Sequence, residues 1–496
     1  MKANTSWRQK YWDASKAAQR HARARALRLR STSTSASMAG IATAWAPLAP
    51  HRAVSRRAGR RSSRAVARRA VEDAENRPDT QDAVEEQATS GEIVRLLGVT
   101  LSRYTGSGAA MLRNGGAAVR HHAAVARGDT DAVTRPLSWS PLMTMGVEIL
   151  SGFLEGIAIE DAEVAALRSR DDGETSDPKS AEGLLTYLRS LRAMMAVGVP
   201  PLPGTRVQRV VVDDVPAVWL TPNARSWKSS RAPRRVLLWF HGGAFVLCNT
   251  ATHARLMSSM GVAGDARVLS VEYPLAPDQG VYEDMADAAD RAYAWLISER
   301  GGNVDPRDVV IGGDSAGGHL ALALAQRLAS SRADGATPTK QSPAGLVLLS
   351  PWLDPGRDLP STAAAWREAR DASVDYLRGV EASMSSVVEL VFGCDGSRSG
   401  STTRDEKLPR CLLDASLYAG RSMPPCLIQY GGIEVLASEA TGLAEVASAA
   451  GWDDVTLEAF PEMPHVFQVF DSVAPEGAAA IASVGRFMKQ SAAARP

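Results

Sequence analysis

The chain has 496 residues, of which 45% are hydrophobic and 22% charged, and its formal net charge is +1. These values are ordinary for a globular protein, and the length allows one large catalytic domain with additional segments. The near-zero net charge gives no reason to expect a nucleic-acid partner or an acidic substrate. Because no apolar run approaches the roughly 18 residues that span a bilayer, no transmembrane segment is predicted.

The first ninety residues differ in composition from the rest of the chain. Residues 1–70 contain 17 Lys or Arg and a single acidic residue, Asp13, whereas acidic residues dominate from Glu72 to Glu92. Few aromatic residues and a poor periodicity leave little surface to bury, so residues 1–90 are predicted to form a basic, disordered extension. An Arg- and Ser-rich, acid-poor N-terminus is also typical of a transit peptide, which leaves the location open between the cytoplasm and an organelle.

The four cysteines are scattered along the chain and form no CxxC pair; they are Cys248, Cys394, Cys411 and Cys426. This spacing indicates neither a zinc site nor a disulfide framework. Four buried or neutral thiols are the better prediction.

Helical apolar spacing begins near residue 91. It extends over Glu92–Tyr104, Met143–Leu167 and, most clearly, Ala181–Met195. Prolines at 200–203 then break the helical pattern, and Arg206–Thr221 is predicted to form two short strands about a turn.

Strands and helices alternate over the remainder of the chain. The predicted strands are Arg235–Phe240, Ala266–Glu272, Asp308–Gly312, Ala344–Ser350, Cys426–Tyr430 and Val455–Phe460. The predicted helices are Asp284–Arg300, His319–Ser330, Ser438–Ala450 and Glu476–Gln490. Short apolar strands separated by amphipathic helices predict an α/β fold with a mostly parallel sheet and helices on both faces.

One segment interrupts this alternation. Residues 356–422 combine a mainly helical stretch with a polar stretch at 395–407, which is typical of an insertion between two strands. Together with the helices of residues 91–205, this insertion is expected to form a helical lid over the carboxyl edge of the sheet. The predicted catalytic domain therefore covers residues 91–496.

Ser315 lies in the sequence Gly313-Asp314-Ser315-Ala316-Gly317, after one predicted strand and before one predicted helix. A Gly-x-Ser-x-Gly match alone arises often by chance, but the strand–turn–helix context is that of a nucleophile elbow. Glycines on both sides allow a strained turn in which a Cβ would clash, and the helix N-terminus favours developing negative charge. Ser315 is therefore the predicted nucleophile.

A second glycine-containing motif, His241-Gly242-Gly243-Ala244-Phe245, follows the predicted strand that ends at Phe240. Acyl transfer through a tetrahedral intermediate needs backbone N–H donors that face the oxyanion, and adjacent glycines let the backbone approach closely. The N–H groups of Gly242, Gly243 and Ala316 are predicted to form this oxyanion hole.

These two motifs together resemble the hormone-sensitive-lipase-like family of α/β-hydrolases. The segments Tyr273–Pro277 and Ser350–Asp354 resemble family segments at the expected places, and the resemblance covers about residues 180–490. It implies an α/β-hydrolase fold and an esterase or lipase activity. The sequence departs from the family at Ala244, where relatives have a third glycine, and at Pro274, where they usually have an arginine.

The other two members of a catalytic triad are expected in the order acid, then histidine. Beyond Ser315 the candidate base is His465, because His319 lies on the helix that follows the elbow. Glu434, in the loop after a predicted strand, is the candidate acid, and Glu439 at the start of the next helix is the alternative. In this scheme the acid orients the imidazole and stabilises the imidazolium.

Two further residues near these motifs receive structural interpretations. Asp314 is expected to be a hydrogen-bonding residue of the elbow, and His253 is expected on the rim of the pocket or exposed.

The sequence thus predicts a carboxylic ester hydrolase that acts through an acyl-enzyme. An amide or carbamate hydrolase with the same triad is the alternative within enzymes. A non-catalytic small-molecule receptor on the same fold is the alternative outside them, and the retention of His465 argues against it. No metal or organic cofactor is implied. The expected partner is a small-molecule or lipid ester, with peripheral membrane contact and oligomeric state left open.

Overall fold

The computed structural model describes residues 90–127, 135–136, 138–157, 159, 163–167, 178–222, 233–329, 342–372, 375–393 and 411–493. Residues 1–89, and with them the predicted basic extension, lie outside the described residues. The polar stretch 395–407 also lies outside them.

Eight strands form one sheet, and each lies close to its predicted position. They are β1 (Arg206–Val212), β2 (Val215–Thr221), β3 (Val236–Phe240), β4 (Arg267–Val271), β5 (Val309–Asp314), β6 (Gly345–Leu349), β7 (Cys426–Gly431) and β8 (Val455–Phe460). Their order is β1-β2-β4-β3-β5-β6-β7-β8. The β1–β2 and β2–β4 pairs are antiparallel and the other pairs are parallel, which confirms the predicted mostly parallel sheet.

Ten α-helices in the described part of the chain are labelled α1 to α10. They are α1 (Ser90–Arg127), α2 (Pro141–Glu155), α3 (Pro178–Met195), α4 (Thr250–Gly264), α5 (Tyr282–Ile297), α6 (Ala316–Leu328), α7 (Pro360–Ala372), α8 (Glu381–Phe392), α9 (Ala437–Ala449) and α10 (Pro475–Ala493). The sequence pattern does not predict α4. Most of its residues are buried, so the helix has no polar face and its sequence lacks the periodicity of an amphipathic helix. Among the described residues, no helix has the length and apolar character to cross a membrane.

Alternate side chains of the central strands point into two separate hydrophobic layers. In β3, Leu238 belongs to the layer that includes Leu320 of α6 and Ala289 of α5. Its neighbour Leu237 belongs to the opposite layer, with Met257 of α4. Burial on both faces explains why the central strands are continuous apolar runs rather than alternating ones.

The order of the parallel strands places a switch point beside β3. From β3 the chain passes through α4 to β4 on one side, whereas β5 pairs on the other side and leads through α6 to β6. Ligands of open α/β sheets bind in the crevice outside the carboxyl ends of the strands at such a point. Both glycine-containing motifs follow these two neighbouring strands, so the fold brings them to the same crevice.

Arg192 attaches α3 to the loops at this edge of the sheet. Its buried guanidinium donates from Nε to the carbonyl of Val246 at 2.8 Å and from Nη1 to Asp278 Oδ1 at 2.6 Å. A further hydrogen bond runs from Nη2 to the carbonyl of Ala276. Burial acts to raise the pKa of Asp278, but the hydrogen bonds and positive charge of Arg192 outweigh it, so the pKa lies below its usual value.

Replacement of this arginine tests how strongly α3 depends on it. Arg192→Ala removes one of the two arginine partners of Asp278 and leaves the buried carbonyl groups of Val246 and Ala276 without this donor, so we expect the free energy of unfolding to fall by about 3 kcal/mol. Arg189 contacts the same Asp278 at 2.9 Å but is half exposed, so Arg189→Ala should cost less than about 1 kcal/mol. Urea unfolding of both variants measures the difference, and equal losses would contradict this role for Arg192.

Candidate active site

Ser315 occupies a sharp turn between β5 and α6. Its backbone has φ 52° and ψ −121°, a conformation that is unfavourable for a residue with a side chain. Two backbone hydrogen bonds of Ser315 fix the turn. Its N–H donates to the carbonyl of Leu349 at 2.9 Å, and its carbonyl accepts from the Trp352 N–H at 3.1 Å. This is the strand–turn–helix geometry predicted from the sequence.

The glycines on either side of Ser315 are required by close backbone contacts. A Cβ on Gly313 would lie 2.2 Å from the carbonyl oxygen of Gly317. A Cβ on Gly317 would lie 2.0 Å from the carbonyl oxygen of Phe240, the last residue of β3. Helix α6 therefore starts directly against the end of the neighbouring strand.

Asp314 joins the elbow to the loop that follows β3. Its Oδ2 accepts a hydrogen bond from the Gly242 N–H at 3.1 Å, and its Oδ1 accepts one from Trp239 Nε1 at 3.2 Å. His253 Nε2 lies 3.0 Å from the same Oδ2. The expected hydrogen-bonding role of Asp314 fits these contacts, whereas the expectation for His253 is wrong, because its side chain is buried against this carboxylate.

The contact between Asp314 and His253 shifts both titrations. Burial acts to raise the pKa of Asp314, but the neighbouring His253 outweighs it and the pKa is lowered. Burial acts to lower the pKa of His253, and Asp314 reverses this, so the pKa is raised. The pair is a buried, mutually stabilising interaction behind the elbow.

The Gly242 N–H cannot serve as an oxyanion donor in this arrangement, because it donates to Asp314 Oδ2. The prediction for Gly242 is therefore corrected. Gly243 and Ala316 stay as candidate donors, and the next N–H along the loop is that of Ala244. Gly243 has φ 114° and would place a Cβ 2.3 Å from the carbonyl oxygen of Leu247, so this position requires glycine.

His465 and Glu434 are brought together at the ends of β8 and β7. The His465 Nδ1 atom lies 3.9 Å from Glu434 Oε2, and both side chains are buried. This distance is longer than a hydrogen bond. Burial lowers the pKa of His465 to about 3, opposed by the negative charge of Asp314, and burial raises the pKa of Glu434 well above its usual value. A neutral His465 is the form that can accept a proton.

Ser350 links the Glu434 carboxylate to the loop that carries His465. Its hydroxyl donates to Glu434 Oε2 at 2.7 Å and accepts from the Val466 N–H at 3.0 Å. The same Oε2 accepts from the Gly431 N–H at 3.1 Å. The sequence pattern gives the Ser350 side chain no role, because nothing local indicates that its hydroxyl meets a carboxylate 84 residues further along.

Glu439, the alternative acid, faces a different loop. Its Oε2 accepts hydrogen bonds from the N–H groups of Leu353 and of Asp354, the latter at 2.8 Å. Burial raises its pKa to about 8. These contacts give Glu439 a structural position under the loop after β6.

Metal-binding and thiol chemistry find little support among the described residues. No group of three or more His, Cys, Asp or Glu side chains in them is arranged to hold a metal ion. Cys248, Cys411 and Cys426 are free, and burial raises the pKa of Cys248 and of Cys411 to about 12. Cys394 lies outside the described residues.

Comparison with known proteins agrees with this fold. Residues 237–469 match a family described as having the α/β hydrolase fold. The carboxylesterase/phospholipase LipF of Mycobacterium tuberculosis is 31% identical over 348 residues, which cover 64% of this chain and 84% of LipF. An acetyl-hydrolase of Streptomyces hygroscopicus is 32% identical over 307 residues, which cover 62% of this chain and 88% of that protein.

A solved structure, that of EstE5, agrees with the fold. The crystal structure of EstE5 soaked with p-nitrophenyl butyrate has a TM-score of 0.50 at 26% identity, and covers 70% of this chain and 99% of EstE5. An esterase of the bacterial hormone-sensitive lipase family is 30% identical, with a TM-score of 0.47, and covers 68% of this chain and 100% of its own. The protein is an α/β-hydrolase. Within that class, the chain belongs to the hormone-sensitive-lipase-like family.

The contact between Gly317 and Phe240 gives a testable requirement for glycine. Gly317→Ala places a Cβ against the backbone oxygen of Phe240, which cannot move aside as the end of a flexible side chain could. We therefore expect a loss of about 3 kcal/mol or more in the free energy of unfolding. Gly183→Ala in α3 is the control, because a Cβ there meets nothing within 4 Å and alanine favours the helix by about 0.5–1 kcal/mol. Urea unfolding measures both. An unchanged midpoint for Gly317→Ala would disprove the close contact.

Proposed function

We propose that this protein is a carboxylic ester hydrolase with Ser315 as nucleophile, His465 as general acid and base, and Glu434 as the acid that orients His465. The observation that carries the proposal is the strained Ser315 turn at the switch point of the sheet. At the same edge, a buried histidine faces a buried carboxylate 3.9 Å away. Fold alone does not define a reaction, whereas these side chains supply the groups that ester hydrolysis needs.

The proposed reaction has two halves. Ser315 Oγ attacks the ester carbonyl while His465 accepts the hydroxyl proton, and the C–O bond of the resulting tetrahedral intermediate breaks as His465 returns that proton to the leaving alcohol. Water then attacks the acyl-enzyme, giving one proton to His465, which transfers it to Ser315 as the carboxylic acid leaves. Glu434 stabilises the imidazolium that forms in both halves.

The oxyanion is proposed to bind the N–H groups of Gly243 and Ala316, with the Ala244 N–H in the place first predicted for Gly242. The positive φ values of Gly243 (114°) and Ala244 (54°) turn this loop in the left-handed region directly after β3. Ala316 is the first residue of α6, so its N–H also benefits from the helix N-terminus. Loss of one such donor costs about 2.7–4 kcal/mol of transition-state stabilisation.

The proposed substrate is a small-molecule or lipid ester. The support comes from relatives named carboxylesterase, phospholipase, acetyl-hydrolase and esterase. Hydrolysis of amides or carbamates with the same triad is the alternative outcome, and a direct comparison of matched substrates separates the two.

The lid is proposed to include segments near 91–205 and 356–422. The contacts that join these segments include a hydrogen bond from the Ile159 N–H to Ser383 Oγ at 3.3 Å and an ion pair of Arg378 with Glu148 of α2 at 3.5 Å. Met143 of α2 also belongs to the hydrophobic cluster that includes Met463, just before His465. Both segments therefore lie close to the proposed base.

Removal of the nucleophile is the first test. Ser315→Ala should lower kcat on a p-nitrophenyl ester by more than about 10⁴-fold, because the acyl-enzyme cannot form. A fluorophosphonate probe should label the wild type on Ser315 and leave the variant unlabelled, and circular dichroism should show that both are folded. Folded wild-type protein without an adduct would refute the proposed serine hydrolase activity. Faster turnover of a matched amide would refute the proposed preference for esters.

A matched pair of variants tests the acid. Glu434→Gln should lower kcat by about 10³- to 10⁴-fold. The amide has no charge to stabilise the imidazolium, and it does not hold the neutral imidazole in the required tautomer as a carboxylate does. Glu439→Gln should keep kcat and change the free energy of unfolding by less than about 1 kcal/mol, because one amide oxygen can still accept from both backbone N–H groups. Steady-state kinetics and urea unfolding measure these effects. The reverse order in kcat would assign the acid to Glu439.

A further inference from the structure

Asp375 lies inside the predicted lid segment, directly before the short 3-10 helix Tyr376–Gly379. Its side chain is fully buried. Its Oδ1 accepts a hydrogen bond from the His465 N–H at 3.2 Å, and its Oδ2 accepts one from the Val435 N–H at 2.9 Å. A single carboxylate thus bonds to the backbone of the proposed base and to the residue next to the proposed acid, Glu434.

These two backbone groups belong to loops that follow different strands. Val435 comes after β7 and His465 after β8, so the spacing of the loops sets the spacing of the two side chains. The Glu434–His465 distance of 3.9 Å is only slightly beyond hydrogen-bond range, so a shift of less than 1 Å decides whether that hydrogen bond forms. The Asp375 carboxylate holds the two loops at this spacing.

The residue after Asp375 contacts the same histidine from another side. The Tyr376 ring lies edge-on to the His465 imidazole, with 5.9 Å between the ring centroids. Tyr376 is itself buried in the cluster that contains Met143 and Met463. The inserted segment therefore fixes His465 by its backbone through Asp375 and by its ring through Tyr376.

A carboxylate suits this position better than an amide. Two N–H groups need two acceptor oxygens, whereas an asparagine offers one oxygen and an NH₂ group that would face an N–H. Burial raises the pKa of Asp375 to about 6, opposed by the hydrogen bonds from Val435 and His465. At neutral pH the group therefore keeps the two-acceptor form.

We infer that Asp375 is a positioning residue, through which the inserted segment sets the distance and orientation of His465 relative to Glu434. This inference rests on the proposed function, because it assigns Asp375 a part in the same hydrolysis. Asp375 acts through the two loops and not on the substrate.

The test compares Asp375→Asn with a matched control. Asp354 is equally buried and also accepts two backbone hydrogen bonds, from Asp358 at 3.0 Å and Leu359 at 2.9 Å, but neither partner belongs to the loops that carry Glu434 and His465. Asp354→Asn therefore removes the same kind of contact elsewhere. Asp375→Ser, which is smaller and keeps one acceptor, serves as a second variant if the asparagine prevents folding.

Turnover is measured on a p-nitrophenyl ester and divided by the number of active sites that a fluorophosphonate titrates to completion. Asp375→Asn should lower kcat per site by about 10²-fold, because a displacement of about 1 Å in the reacting groups has effects of this size. KM should change little, because the substrate is not contacted. Asp354→Asn should keep kcat per site, even where its unfolding midpoint falls.

Three outcomes overturn the inference. The first is a folded Asp375→Asn, or in its place Asp375→Ser, with wild-type kcat per site. The second is an equal loss of kcat in Asp354→Asn, which would show a general packing effect. A wild type that is folded but neither labelled nor active would instead refute the proposed function and remove the inference with it, so the two failures are distinguishable.

Discussion

The contact between the start of α6 and the end of β3 is the constraint on which the site depends. The space between Gly317 and the Phe240 carbonyl is too small for any side-chain carbon. Because α6 lies so close to β3, the turn that precedes it must be sharp, and Ser315 takes its unfavourable φ of 52°. The same closeness brings the loop after β3 beside the Ser315 turn.

Asp314 fixes the position of the loop after β3 relative to the Ser315 turn. Its carboxylate bonds to the Gly242 N–H and to Trp239, and lies against His253. An unpaired buried carboxylate would be costly, but here three donors surround it. The consequence is that Gly242 holds the loop in place while the residues after it remain free to face an oxyanion. One glycine is therefore structural, although its neighbours in the same motif are candidate donors.

Sequence reasoning works where a feature depends on neighbouring residues. The Ser315 turn follows from a short apolar strand, two glycines and a helix, and the sheet follows from runs such as Val236–Phe240. It fails where a side chain's role depends on a distant partner. His253 is expected on the rim of the pocket or exposed, because nothing in the neighbouring residues indicates its buried contact with Asp314. Ser350 and Asp375 meet the site across 84 and 90 residues, which no local pattern can reveal.

The choice between Glu434 and Glu439 shows the same limit at short range. Both are buried glutamates within five residues of each other, and composition gives no reason to prefer one. Their different surroundings support the proposal for Glu434: Glu439 accepts from two N–H groups after β6, whereas Glu434 faces His465. His465 Nδ1 and Glu434 Oε1 have no hydrogen-bond partner among the described residues, and buried polar atoms without one cost about 1–3 kcal/mol each. Closing the 3.9 Å gap would relieve the cost at Nδ1 and align the imidazole, so the same small movement serves stability and the proposed chemistry.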